Sequence, residues 1–157
     1  MPVFLSHKRE DEHRAKQIAE HLKRRGVHGY LDVLDPSLST SKDITQILID
    51  RISDCTHLMA ILSTSTARSW WVPFEIGVAT QSDKRITSFQ LPGATLPDYL
   101  TKWPIIKSQD HLDKFIALYK RDQKGKPTSG ALLTFQRDIS TAEEFHRTLK
   151  SSIGQHS

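Results

Sequence analysis

Residues 57–62 read His-Leu-Met-Ala-Ile-Leu, and this run decides the fold. It is too short and too uniformly apolar for an amphipathic helix. It reads as a central strand of a parallel sheet, buried on both faces. Upstream, Asp43 can cap a helix whose apolar face carries Ile44, Ile47, Leu48 and Ile52. Downstream, Ser63 to Ser69 reads as a small-polar loop. A helix follows from about Trp70 to Gln81, with Pro73 tolerated in its first turn, where the missing N–H costs nothing.

The same alternation extends in both directions. Val3-Phe4-Leu5 predicts a buried first strand. Ala15, Ile18, Ala19 and Leu22 give residues 10–25 one apolar helical face. Gly26 is a stop signal, and Val27 to Leu31 reads as the second strand. A polar, proline-containing loop runs from Asp32 to Lys42. Ile86 to Leu91 reads as the fourth strand. Residues 92–104, with three prolines and a glycine, read as a loop. Pro104 to Lys107 is the last strand, and Ser108 can cap a helix to about Arg121 with Leu112, Phe115, Ile116 and Tyr119 inward. Five strand–helix repeats predict an α/β, flavodoxin-like doubly wound fold, a five-stranded parallel sheet flanked by helices. Ligands of such folds bind at the carboxyl ends of the strands. That points to the segments after Leu5, Leu31, Leu62 and Leu91.

The tail differs. Residues 123–130 look like a linker, and Ala131 to Gln136 suit an extra strand or a packed loop. Thr141-Ala-Glu-Glu144 is a capping-box pattern opening a helix with Phe145, Leu149 and Ile153. The predicted organisation is one domain over residues 1–122, with a C-terminal helical extension, 123–157, packing on it.

Composition narrows the function classes. The 157 residues are 37% hydrophobic and 25% charged, as expected of one globular domain. No apolar run approaches the roughly 20 residues that cross a bilayer. The start, MPVFLSHKRED, turns charged at once, unlike a signal peptide. One cysteine, Cys55, excludes an intrachain disulfide and makes a reduced cytoplasmic setting the default expectation. Twenty-two lysines and arginines against 18 acids leave a net charge of +4. Both signs alternate, as in KREDEHR, which reads as a solvated helix face rather than a nucleic-acid stripe. The mild positive field favours a small anionic ligand. No nucleic-acid or membrane partner is expected. The eight histidines show no metal-site spacing and read mostly as surface residues.

Several chemistries lack their motifs. There is no G-x-x-x-x-G-K-[ST] loop, no G-x-G-x-x-G after the first strand and no G-x-S-x-G elbow. Cys55 precedes a buried strand and reads as structural. A phosphorelay receiver would need an aspartate at the end of the third strand, where this chain has Leu62-Ser63-Thr64.

Three segments then align in order: V-F-L-S-H (Val3 to His7), Y-L-D (Tyr30 to Asp32) and W-V-P-F-E (Trp71 to Glu75). Together they resemble a Toll/interleukin-1 receptor (TIR) domain over roughly residues 2–122. The resemblance implies either an adaptor that assembles signalling complexes or an enzyme that cleaves NAD. NAD-cleaving members carry a W-x-x-x-E glutamate on this helix, here Glu75. It further implies substrate contacts from Ser6, His7, Lys8, Arg9, Asp32 and Trp71, with NAD as substrate, no separate cofactor and no metal. Lys8 and Arg9 would pair with the pyrophosphate, and Asp32 with ribose hydroxyls or the nicotinamide amide. Trp71 would wall the pocket or support the carboxylate. A small TIR chain of this kind is similar to bacterial antiphage proteins of the Thoeris type, in which an ADP-ribose-derived product activates a separate effector. Assembly into homo-oligomers through TIR–TIR contacts is implied as well. One departure from the family pattern is the second loop, DVLDPSLSTSK, which lacks the glycine many members place there. The rival expectations are a non-catalytic interaction module, a host-mimicking bacterial TIR, and a sensor that binds a nucleotide without cleaving it.

Overall fold

A computed structural model of the chain describes residues 2–32, 44–65, 71–124 and 141–156, with the side chains of Asp32, Ile44, Thr45, Ile47, Leu48, Trp71, Val72, Phe74 and Lys124 outside that description. The strands are β1 (Val3–Ser6), β2 (Gly29–Asp32), β3 (His57–Leu62), β4 (Arg85–Gln90) and β5 (Ile105–Ile106). The helices are α1 (Glu12–Arg24), α2 (Ile44–Ser53), α3 (Trp71–Gln81), α4 (Gln109–Lys124) and α5 (Ala142–Ser152). All strands are parallel, in the order β2-β1-β3-β4-β5. This is the flavodoxin-like order, with its switch point between β1 and β3. The predicted doubly wound sheet and C-terminal helix are both present.

The pleat sorts the strand residues onto two cores. Val3, Leu5, Met59, Ile61, Phe89 and Ile106 face α1, α4 and α5, whose Leu22, Phe115 and Phe145 fill that layer. Phe4, Leu58, Ala60, Leu62 and Ile86 face Ile52 of α2, Ile76 and Ala79 of α3, and Leu100 and Trp103. β3 is buried along its full length, as its sequence requires. Phe145 and Leu149 of α5, and Ile153 just after it, belong to the first core.

Local chemistry sets several boundaries. α1 ends in a Schellman motif: Val27 N–H donates to the Leu22 carbonyl and Gly26 N–H to the Lys23 carbonyl, with Gly26 at φ +76°. Val27 is therefore consumed by the cap, and β2 begins two residues later. A 3-10 turn, Arg9–Asp11, precedes α1, and another, Asp98–Lys102, occupies the segment expected to be loop. Ser108 Oγ accepts from the His111 N–H at 3.2 Å, and Thr141 Oγ1 from the Glu144 N–H at 3.1 Å, so both expected caps are in place. The residues 33–43 loop, the Asp43 cap, Trp70, most of the 123–130 linker and the 131–136 strand candidate lie outside the described residues.

Two of the eight histidines depart from the surface reading: His7 and His57 are buried. His57 sits at the amino end of β3, packed edge-on against Tyr119 and Phe145, with Nε2 3.0 Å from Asp122 Oδ2. Arg85 Nε reaches the same oxygen at 3.0 Å. Burial alone would push the Asp122 carboxyl up. The His57 ring and the Arg85 guanidinium outweigh it and hold the group below its ordinary value.

Candidate active site

Glu75 lies on the second turn of α3 and is 3% exposed. A carboxylate buried to that degree needs a partner. Ser6, the last residue of β1, supplies one: its hydroxyl donates to Glu75 Oε2. The pair joins the carboxyl end of β1 to α3, at the switch point between β1 and β3. The same end of the sheet carries another expected site residue, Asp32. Ser6 is in register with Asp32 of β2 on one side and with Ala60 of β3 on the other.

The segment after β1 is fixed by a polar network. Lys8 Nζ donates to the Ser65 carbonyl at 2.6 Å, tying it to the segment that follows β3. Asp11 is buried and accepts from Ser63 Oγ at 2.6 Å, and Ser63 Oγ lies 2.9 Å from Ser65 Oγ. His7 is 7% exposed. Its Nδ1 lies 3.2 Å from the Leu5 carbonyl, which can only accept, so Nδ1 carries the hydrogen. Nε2 is buried, with no hydrogen-bond partner among the described residues. A buried polar atom without a partner is uncommon and asks for an explanation.

The structure thus brings Ser6 and Glu75 into contact, with His7 and Lys8 following directly after Ser6. Arg9 is exposed at the start of the 3-10 turn. Trp71 opens α3 and Asp32 closes β2. The expected roles of these two side chains fall outside what is described. Asp11, Ser63 and Ser65 had no signal in the sequence. Asp11 sits in the charge-alternating KREDEHR run and looks solvated until the fold sets it beside Ser63. Among the described residues no three metal-ligating side chains cluster, and no helix is long and apolar enough to cross a membrane. Two cavities lined by described residues, of about 800 and 710 Å³, both lie away from Glu75.

Residues 3–123 match the family model of the TIR domain. Among solved structures, the TIR domains of the activated Roq1 resistosome directly recognizing the pathogen effector XopQ align at 22% identity, with a TM-score of 0.43. That alignment covers 57% of this chain and 56% of the other, so the chain spans just over half of its length. A diflavin flavoprotein A3 from Nostoc sp. aligns at 16% identity over 99% of this chain and 97% of that one, with a TM-score of 0.44. No curated protein matches the chain.

Proposed function

The chain belongs to the TIR domain family, and from that premise we propose that it cleaves the bond between nicotinamide and ribose in NAD, with Glu75 as the catalytic carboxylate. The observation that carries the proposal is the buried Ser6–Glu75 pair at the switch point of the sheet. A doubly wound fold takes its ligands at that place, and a carboxylate is kept buried there although burial is costly for a charge and needs a hydrogen-bond partner to offset it.

Nicotinamide in NAD is already a pyridinium cation. When the C1′–N bond breaks, the electron pair leaves with the ring nitrogen and the base departs neutral. No general acid is needed, unlike the carboxylate pair of an ordinary glycosidase. The positive charge develops on the ribose. One carboxylate that hydrogen-bonds the ribose hydroxyls and stabilises this cation is sufficient. Ser6 holds Glu75 in place. The unpartnered ring nitrogen of His7 suits a ribose hydroxyl, which can donate or accept, and Lys8 and Arg9 supply cations for the pyrophosphate. Asp32 and Trp71 complete the proposed substrate contacts from β2 and α3.

The ribosyl cation then meets a nucleophile. Water gives ADP-ribose and a proton, an adenine or ribose atom of the same molecule gives a cyclic isomer, and an external acceptor gives a conjugate. In the proposed setting the product is a signal for a separate effector in antiphage defence of the Thoeris type, and homo-oligomers form through TIR–TIR contacts. The test is incubation of concentrated purified protein with NAD, with and without lysate of infected cells, followed by mass analysis. Nicotinamide with an ADP-ribose-derived partner supports the proposal. NAD left intact in both would remove the enzyme and leave the interaction module.

A further inference from the structure

At the opposite end of the sheet, the amino end of β4, lies a cavity of about 800 Å³. Its walls come from the end of α3, the turn before β4, the segment before β5, and α5. The volume falls in the range of small-molecule sites, roughly 300–1,000 Å³. Four cationic side chains line it, Lys84, Lys102, Arg147 and Lys150, against two carboxylates, Asp83 and Glu143.

Lys150 is the decisive residue. It is only 9% exposed, yet among the described residues no carboxylate pairs with it. Its ammonium donates to the Thr101 carbonyl at 2.6 Å, and no other described residue takes its remaining two hydrogens. A buried ammonium without a counter-ion is unfavourable, and a bound anion would relieve that cost. The surroundings fit an anion too. Arg147 faces only a long, exposed approach to Glu143, at 3.8 Å. Lys102 hangs over the face of Trp103, 5.5 Å from the ring centroid, and that indole forms part of the wall. His146 is held neutral, because its Nε2 accepts the Ile86 N–H at 2.8 Å. Its other ring nitrogen therefore carries a hydrogen and is a donor.

We propose that this cavity binds a phosphorylated small molecule of nucleotide size, with Lys150 and Arg147 on its phosphates. The site is separate from Glu75, and it does not depend on what Glu75 does. Titration calorimetry with ADP and with inorganic pyrophosphate, using the full chain, tests it. Both should bind the parent chain and also Arg9→Glu, which reverses a cation proposed for the pyrophosphate at the Glu75 site and lies outside this cavity. Lys150→Met and, independently, Arg147→Glu should each weaken binding roughly 10- to 100-fold, the usual cost of losing a charge-assisted contact. Arg147 is exposed, so its variant keeps the test valid if Lys150→Met fails to fold. No binding to Arg9→Glu at millimolar ligand, or binding that survives both substitutions in that background, would overturn the proposal.

Discussion

The contact between His146 and β4 makes the stability of this chain depend on pH in a calculable way. β5 begins opposite Ser88, so the Ile86 N–H has no strand partner on that side, and His146 Nε2 accepts it. Burial first, and then the positive charges of Arg85, His57, Lys150 and Lys102, lower the imidazole from 6.5 to about 4. The folded protein therefore resists protonation of this ring, while the unfolded chain takes the proton near its ordinary value. Between those two values the unfolded state binds more protons. The contribution is thus complete above the unfolded value and is lost as pH falls toward the folded one. Linkage over that gap gives a loss of about 2 kcal/mol between about pH 7 and about pH 5, and roughly half of that if solvent screens the partly exposed ring. Denaturant unfolding at the two pH values measures the loss. Other groups titrate as well, so the comparison is with His146→Gln, whose side-chain oxygen can accept the same N–H without titrating. The variant should lose about 1–2 kcal/mol less over this interval than the parent. Equal losses in both would refute the assignment of the pH dependence to His146.

Other expectations follow from single contacts. Phe145 is fully buried against His57 and Phe115, so Phe145→Ala should cost about 3–5 kcal/mol in chemical denaturation; a cost below about 1 kcal/mol would mean that α5 is not part of the folded core. Cys55 is buried, and burial pushes its thiol up to about 11. Iodoacetamide should modify it in the native protein far more slowly than in the denatured chain, by mass analysis, and equal rates would contradict its burial. Ser6→Ala removes the hydroxyl that holds Glu75, and should lower kcat for nicotinamide release about 10-fold or more while the fold survives. An unchanged kcat would separate the pair from the chemistry.

Much of the fold was legible because the hydrophobic pattern is local. β3 was readable residue for residue, since a strand covered on both faces admits almost no polar position. The errors arose where distant contacts override local pattern. The histidines read mostly as surface residues, yet Asp122, Tyr119 and Phe145 make the burial of His57 tolerable, and none is near it in sequence. Val27 looked like strand, but the Schellman cap claims it. The strand Ile86–Leu91 was displaced by one residue because Arg85 N–H donates to the Thr56 carbonyl and starts β4 earlier. At the site, Glu75 stood out as one charge in an apolar stretch. Its partner Ser6 was expected as a substrate contact and not as the residue that holds Glu75. The Asp11–Ser63–Ser65 network left no trace, because serines after a strand and an acid among bases are ordinary until the fold joins them.

The central claim is that Glu75 is the group that promotes loss of nicotinamide. The most direct measurement is the rate of nicotinamide release from NAD by the parent chain and by Glu75→Gln, at matched concentration and with matched thermal unfolding. The amide keeps the shape and an acceptor for Ser6 but loses the negative charge that would stabilise the ribosyl cation. A fall of about 10²–10³-fold or more, the usual cost of removing one such stabilising group, is the predicted result. Equal release by both proteins would contradict the account.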